Sequence, residues 1–259
     1  MFASNLLQDK VALVTGGGSG IGYAIAAEML KVGAKVYICG RKEDKLRAAA
    51  ESLAHLGPIY WHPADIRSIE SVETLATHIQ TTFGRLDILV NNAGGQFPAL
   101  AEQISPKGFQ AVVGNNLIGT WNVTYTFANQ FFIPQRSGTI VNIIANIYRG
   151  FPGMMHTGAA RAGVDNMTKT LAVEWSRYGI RVNAVAPGII ESSGLAQYPE
   201  TLKQGLSEAI PLRRLGRVEE VAYLVVYLAS PMAAYITGET IYIDGGQRLW
   251  GDLFRLENA

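Results

Sequence analysis

Short apolar runs alternate with amphipathic helical patterns along almost the whole chain of 259 residues. No other feature constrains the fold as strongly, because each pattern has its own period. KVALVTG (10–16), AKVYICG (34–40), PIYWHPAD (58–65), LDILVNNAG (86–94), GTIVNIIA (138–145), IRVNAVAPG (180–188) and ETIYIDGG (239–246) read as strands. Helical patterns fall between them, over 21–33, 42–56, 68–83, 106–132, 157–178 and 218–229. Strands that are apolar on both faces and separated by helices imply a parallel sheet covered on both sides. Right-handed crossovers then make the chain a doubly wound α/β protein, a Rossmann fold. No repeat, low-complexity tract or linker interrupts the pattern, so one domain over 1–259 is expected. The irregular stretch after Pro187 is the expected mobile lid over a ligand.

The glycine-rich stretch VTGGGSGIG (14–22) follows the first strand and opens the first helix. Glycines in that position let backbone N–H groups approach a pyrophosphate at the positive end of the helix. Thr15, Gly16, Ser19, Gly20, Ile21 and Gly22 are therefore candidate cofactor residues; a glycine turn by itself is also compatible with a plain tight turn. The tip of the second strand reads CGRKEDK, with Arg41 and Lys42 where an NAD binder usually has an acidic residue for the ribose hydroxyls. Guanidinium is planar, permanently charged and bidentate, which suits a 2′-phosphate, and Gly40 leaves room for one. The expected cofactor is NADPH/NADP+. The bland alternative makes Arg41 and Lys42 solvated residues of a helix start.

Bulk properties narrow the classes of partner. A net charge of +1 argues against a general binder of nucleic acid or of membrane surfaces. No apolar stretch reaches the roughly 18 to 20 residues that a membrane span needs. The single cysteine, Cys39, lies in an apolar run and reads as packing. The opening MFASNLLQDK lacks a basic stretch followed by a long apolar run, and the last residues lack an S-K-L ending, so a cytoplasmic location is expected. No metal site is expected.

Thr15 to Gly22, NNAG at 91–94, Asn116 within NNLIGTWN, PG at 187–188 and DGG at 244–246 fall in order across nearly the whole chain. Together they resemble the short-chain dehydrogenase/reductase family. The resemblance implies that Asp65 and Ile66 flank the adenine and that Asn91, Asn92, Ala93 and Gly94 line the cofactor trough. It makes Pro187, Gly188, Ile190 and Ser192 cofactor-binding residues, with Ser192 on the nicotinamide amide. It also implies a homotetramer to which the DGG strand contributes.

Family members that reduce carbonyls polarise the substrate oxygen with a Ser and a Tyr, and a Lys near the Tyr binds the ribose. A phenol is a useful acid at neutral pH only beside a cation. Here Ile144 and Ala145 stand where the Ser is expected, Thr157 replaces the Tyr and Arg161 replaces the Lys. An aliphatic hydroxyl is too weak an acid for that role, and Arg keeps the charge without moving a proton. Reduction of a C=C bond conjugated to a thioester needs something else: donors aimed at the thioester oxygen. NNAGGQFPAL, IVNII, GFPGMMHTGAARAGV and TKTLAVEWSRYGIRVNAVAPG are similar to the branch of the family that reduces 2-enoyl-CoA and 2,4-dienoyl-CoA. The expected reaction is NADPH-dependent reduction of a 2-enoyl thioester such as an acyl-CoA. Arg161 would hold the ribose, with Asn116 and Tyr148 near the reacting atoms. His156 is a donor to the enolate or a buried structural residue, and Asp165 is expected to pair with Arg161 four residues before it. A carbonyl reductase and a catalytically silent NADP(H)-binding module remain as alternatives.

Overall fold

The computed structural model describes residues 2–192, 194–195 and 205–249. Much of the expected lid and the C-terminal stretch from residue 250 lie outside the described residues. The strands are β1 (Val11–Thr15), β2 (Lys35–Gly40), β3 (Ile59–Pro63), β4 (Ile88–Asn91), β5 (Gly138–Ile143), β6 (Ile180–Pro187), β7 (Ile190–Glu191), β8 (Gly216–Arg217) and β9 (Thr240–Ile243). The helices are α1 (Gly20–Lys31), α2 (Glu43–Leu53), α3 (Ile69–Phe83), α4 (106–135), α5 (Met155–Trp175) and α6 (Val218–Ala229).

One sheet runs β3-β2-β1-β4-β5-β6-β9 with every pair parallel. Its two faces follow directly from the period of two along each strand. Ala12, Val14, Val36 and Ile38 pack on the side that carries α1 and α6. Val11, Leu13, Tyr37 and Cys39 point to the opposite side, among the buried residues of α3, α4 and α5. Cys39 is fully buried, and burial pushes its thiol up to about 12, so it packs as a small apolar side chain. Among the described residues no helix is long and apolar enough to cross a membrane.

The helix ends are written into the sequence. Ser68 and Ser105 accept the backbone N–H of Ser71 (3.2 Å) and Gly108 (3.1 Å), capping α3 and α4, and Pro106 occupies the first turn of α4. The stretch expected as one helix over 106–132 keeps its direction but contains two π-helical turns, Gly114–Ile118 and Ala128–Phe132. In the first of these, side chains take up carbonyls: the Asn116 amide donates to Val112 O (2.9 Å) and Thr120 Oγ1 donates to Asn116 O (2.9 Å).

The chain moves outward from β1 to β3 and then returns to β4 on the other side of β1. Between the carboxyl ends of β1 and β4 the crossovers diverge, which opens a crevice there. The carboxyl ends of all seven strands share that edge, so Thr15, Gly40, Asn91, Ile143 and Pro187 are delivered to one rim.

Candidate active site

A cleft of about 380 Å³ occupies this crevice. Its walls include the glycine turn Gly16 to Ile21, the tip of β2, the residues after β3, and Asn92 to Gly94. Gly22 lies just behind it, where an added Cβ would stand 2.4 Å from Gly16 O, so only glycine lets α1 approach β1 this closely. Ser19 begins α1 in extended conformation without a side-chain cap, and no acidic residue sits in the first turn. The first amides of the helix are thus left for an external acceptor.

Thr15 ties together the two strands that flank the cleft. Its hydroxyl accepts the N–H groups of Asn92 (3.0 Å) and Ala93 (2.9 Å) and donates to Val90 O (3.3 Å), locking β1 to β4. At the far end of the cleft Arg41 and Lys42 are exposed at its wall, joined by Lys45 from the first turn of α2. Lys45 is the third cation of RKEDK, set at helical spacing from Arg41 and Lys42, a signal the sequence also carries. Asp65 and Ile66 line the cleft as well. The Asp65 carboxylate is chelated by Arg67 (2.5 Å to Nη2), which holds it below the usual carboxylate range. Ser192 reaches the cleft as well.

Several expectations need correction. Asn91 does not line the trough: its amide donates to Thr124 Oγ1 and Asn142 Oδ1 (2.9 Å each), inside the protein. The alternating geometry of β4 turns it away from Asn92. Pro187 and Gly188 are not among the residues lining this cleft, and their backbone is bonded within the protein, Pro187 O accepting from Asn146 N (3.0 Å) and Gly188 N donating to Ile243 O (3.0 Å). Ile190 is buried in the core, because pairing of β7 with β8 points its side chain at Gly216. Tyr148 is 62% exposed and is not part of the cleft wall; its ring meets Tyr242 edge to face at 6.0 Å. The reason is upstream: Asn146 is bonded to Asp244 (3.1 Å), which steers the chain toward β9.

Asn116 is fully buried, but it is not a free donor. It accepts Gly95 N–H (3.3 Å) and donates to Gly95 O (2.7 Å) and Val112 O (2.9 Å), pinning the loop after β4 to α4. Asp165 does not pair with Arg161 either. Lys169 (2.5 Å) and Thr240 take its two oxygens, the second across to β9.

Arg161 is left in an unusual state. It is 7% exposed, one guanidinium nitrogen has no hydrogen-bond partner, and burial pushes its pKa down to about 10. An added Cβ on Gly94 would lie 2.3 Å from Arg161 Nη2, so the guanidinium underlies the inner end of the cleft. Thr157 is fully buried and its hydroxyl lies 3.5 Å from His156 Nδ1, while Ile144 is 5% exposed. A glycine cradle, a cationic end and a buried unsatisfied donor fit an extended dinucleotide with its pyrophosphate at the glycine turn and a hydroxylated ring at the inner end.

Known proteins agree with this architecture. A family profile described as Enoyl-(Acyl carrier protein) reductase matches residues 16–248. The peroxisomal 2,4-dienoyl-CoA reductase [(3E)-enoyl-CoA-producing] of Mus musculus is 40% identical over 95% of this chain and 86% of its own length. The 3-oxoacyl-[acyl-carrier-protein] reductase FabG of Thermotoga maritima is 39% identical over 93% of this chain and 98% of its own. Among solved structures, the citronellol catabolism dehydrogenase (AtuB) of Pseudomonas aeruginosa PAO1 superposes with a TM-score of 0.87 at 43% identity, covering 96% of this chain and 98% of that one. From its parallel sheet, its glycine turn and these matches, the chain belongs to the short-chain dehydrogenase/reductase family of oxidoreductases.

Proposed function

We propose that the protein reduces the C=C bond of 2-enoyl thioesters with NADPH. The observation that carries this reading is the Arg161 guanidinium buried beneath Gly94, four residues along α5 from Thr157: a cation is kept while the phenol is gone, and Ile144 and Ala145 stand where a serine hydroxyl is expected. A dienoyl-CoA reductase among the relatives supports it, whereas the similarity to 3-oxoacyl reductase FabG favours carbonyl reduction as the second reading.

Bound NADPH supplies the hydride. The chain's residues hold it and shape what it meets. The first amides of α1 take the pyrophosphate, and Arg41, Lys42 and Lys45 surround the 2′-phosphate. Arg161 donates to the ribose of the nicotinamide end, which satisfies its orphaned nitrogen. Asn116 positions the Gly94–Gly95 loop rather than touching the reacting atoms. As hydride adds to the β-carbon, the C=C electrons shift onto the thioester oxygen as an enolate. The α-carbon then takes a proton that comes from solvent, giving the saturated thioester and NADP+. We further infer a homotetramer, because β9 forms an open edge of the sheet with all four residues half-buried.

The test is NADPH oxidation with crotonyl-CoA, a longer 2-enoyl-CoA and acetoacetyl-CoA. Oxidation with the first two alone is expected; oxidation with the third alone makes the protein a carbonyl reductase. Silence with all three, alongside tight NADPH binding, makes it a nucleotide-binding module. In the same assay Arg41→Ala should raise the Kd for NADPH at least about tenfold and leave that for NADH nearly unchanged, since one charge-assisted pair is worth on the order of 1.5–3 kcal/mol.

A further inference from the structure

A chain of side-chain hydrogen bonds crosses the interior from β4 to α5. Asn91 Nδ2 donates to Asn142 Oδ1 on the neighbouring strand (2.9 Å), and Asn142 Nδ2 donates to Thr168 Oγ1 (2.9 Å). The Thr168 hydroxyl in turn donates to Val164 O (2.8 Å), so it accepts one bond and gives one. Asn142 and Thr168 have no exposed surface, and Asn91 has almost none. Burying amides and a hydroxyl costs free energy that apolar side chains of the same volume would not cost. What such bonds add is direction: each fixes a distance that a purely apolar contact leaves free to slide.

Both ends of the chain lead to the cleft. From Asn91 the backbone runs straight on into Asn92, Ala93 and Gly94, which line it. On α5, Val164 and Thr168 share the buried stripe with Arg161. Thr168 lies seven residues further along, about 10.5 Å of helix. The circuit closes where Arg161 Nη2 occupies the space that a Cβ on Gly94 would enter. Little else holds the guanidinium there. Its Nη1 has no partner, and Asp165, at the right spacing to pair with it, is taken by Lys169 and Thr240. The depth of this cation under Gly94 therefore follows the placement of α5 against β4 and β5.

We propose that Asn142 and Thr168 are positioning residues for the cofactor: their bond sets the gap between Gly94 and the Arg161 guanidinium, and with it the fit of the nicotinamide-end ribose. The assignment rests on Arg161 as the ribose donor and adds what holds that donor in place. Neither residue lines the cleft, so each acts only through Arg161.

Thr168→Val removes the hydroxyl at nearly constant volume, and Thr168→Ser keeps it. Asn142→Leu combined with Thr168→Val removes both partners at once, which a buried site tolerates better than the loss of one. Calorimetry then gives Kd for NADPH and for 2′,5′-ADP, which has no nicotinamide ribose. Thr168→Val and the double variant should each weaken NADPH about tenfold, the worth of one misplaced charge-assisted hydrogen bond, with Thr168→Ser within about twofold of wild type. Binding of 2′,5′-ADP should not change in any of them. In an Arg161→Met background Thr168→Val should cost nothing further, because residues that act through one another are not additive. Wild-type NADPH binding in Thr168→Val or in the double variant overturns the proposal. So does a Thr168→Ser as weak as Thr168→Val, an equal weakening of both ligands, or a full further loss beside Arg161→Met. An Arg161→Met protein that itself binds NADPH at full strength removes the ribose contact, and the proposal with it. No acyl substrate enters these measurements, so reduction of acetoacetyl-CoA alone would end the enoyl reading and leave their result standing.

Discussion

At position 161 a guanidinium is buried without a full set of partners, and its energetics run against stability. Its pKa, pushed down to about 10 by burial from an ordinary 12.5, corresponds to roughly 3 kcal/mol of penalty on the charged folded state. The penalty is present at every pH below about 10 and shrinks only as pH rises past that value, because the folded pKa is the lower one. Arg161→Met should therefore melt several degrees higher than wild type across neutral pH, at roughly 2–4 °C per kcal/mol for a chain of this size. Turnover should fall at the same time. A variant that melts lower, followed by calorimetry without cofactor, would mean that the guanidinium is satisfied in the free protein. The position of this cation was legible through the family resemblance, which sets Arg161 where a Lys is expected. Its isolation was not: Asp165 lies at the right spacing for Arg161 and equally for Lys169, and contact with Thr240 on β9 decided between them.

Elements carry their own constraints, and the start of α6 is the clearest case. Glu220 accepts the backbone N–H of Arg217 (2.8 Å) and both terminal nitrogens of Arg214 (2.8 and 2.7 Å), tying 214–217 and β8 to the helix. Arg214 first, then the Arg217 N–H, hold its carboxyl down at about 2. A depressed carboxylate stabilises the fold above its ordinary value near 4.5, and that contribution is lost as pH falls through about 2. Glu220→Gln should consequently melt below wild type at pH 6–8, with the gap closing between about pH 4.5 and 2. A gap that stays constant over that window, measured by circular dichroism, would remove the carboxylate from the account. Solvent exposure of Arg214 keeps the effect small. Strand and helix positions were readable here and elsewhere from period and caps. The π turns of α4 were not, since they depend on side chains such as Asn116 bonding across to Gly95, and no local period records that.

For the whole molecule, the parallel sheet and its crevice followed from sequence, whereas assembly is a property of its edges. The inferred homotetramer should scatter light with four times the chain mass; a stable monomer at micromolar concentration would leave β9 as a free edge and refute the inference. Of the site, the sequence by itself marked the glycine turn and the cations at the tip of β2, because each is a matter of residue type at a fixed place on a strand–helix unit, and the family resemblance marked Thr157 and Arg161 as standing where Tyr and Lys are expected. Only the tertiary structure decided which of these side chains are spent and which are available. It turned Asn91, Asn116 and Ile190 inward, carried Tyr148 to the rim and left Arg161 Nη1 and His156 Nε2 without partners. The physical reason is that a buried polar atom is committed or free according to partners far away in the chain, and sequence spacing does not count those partners.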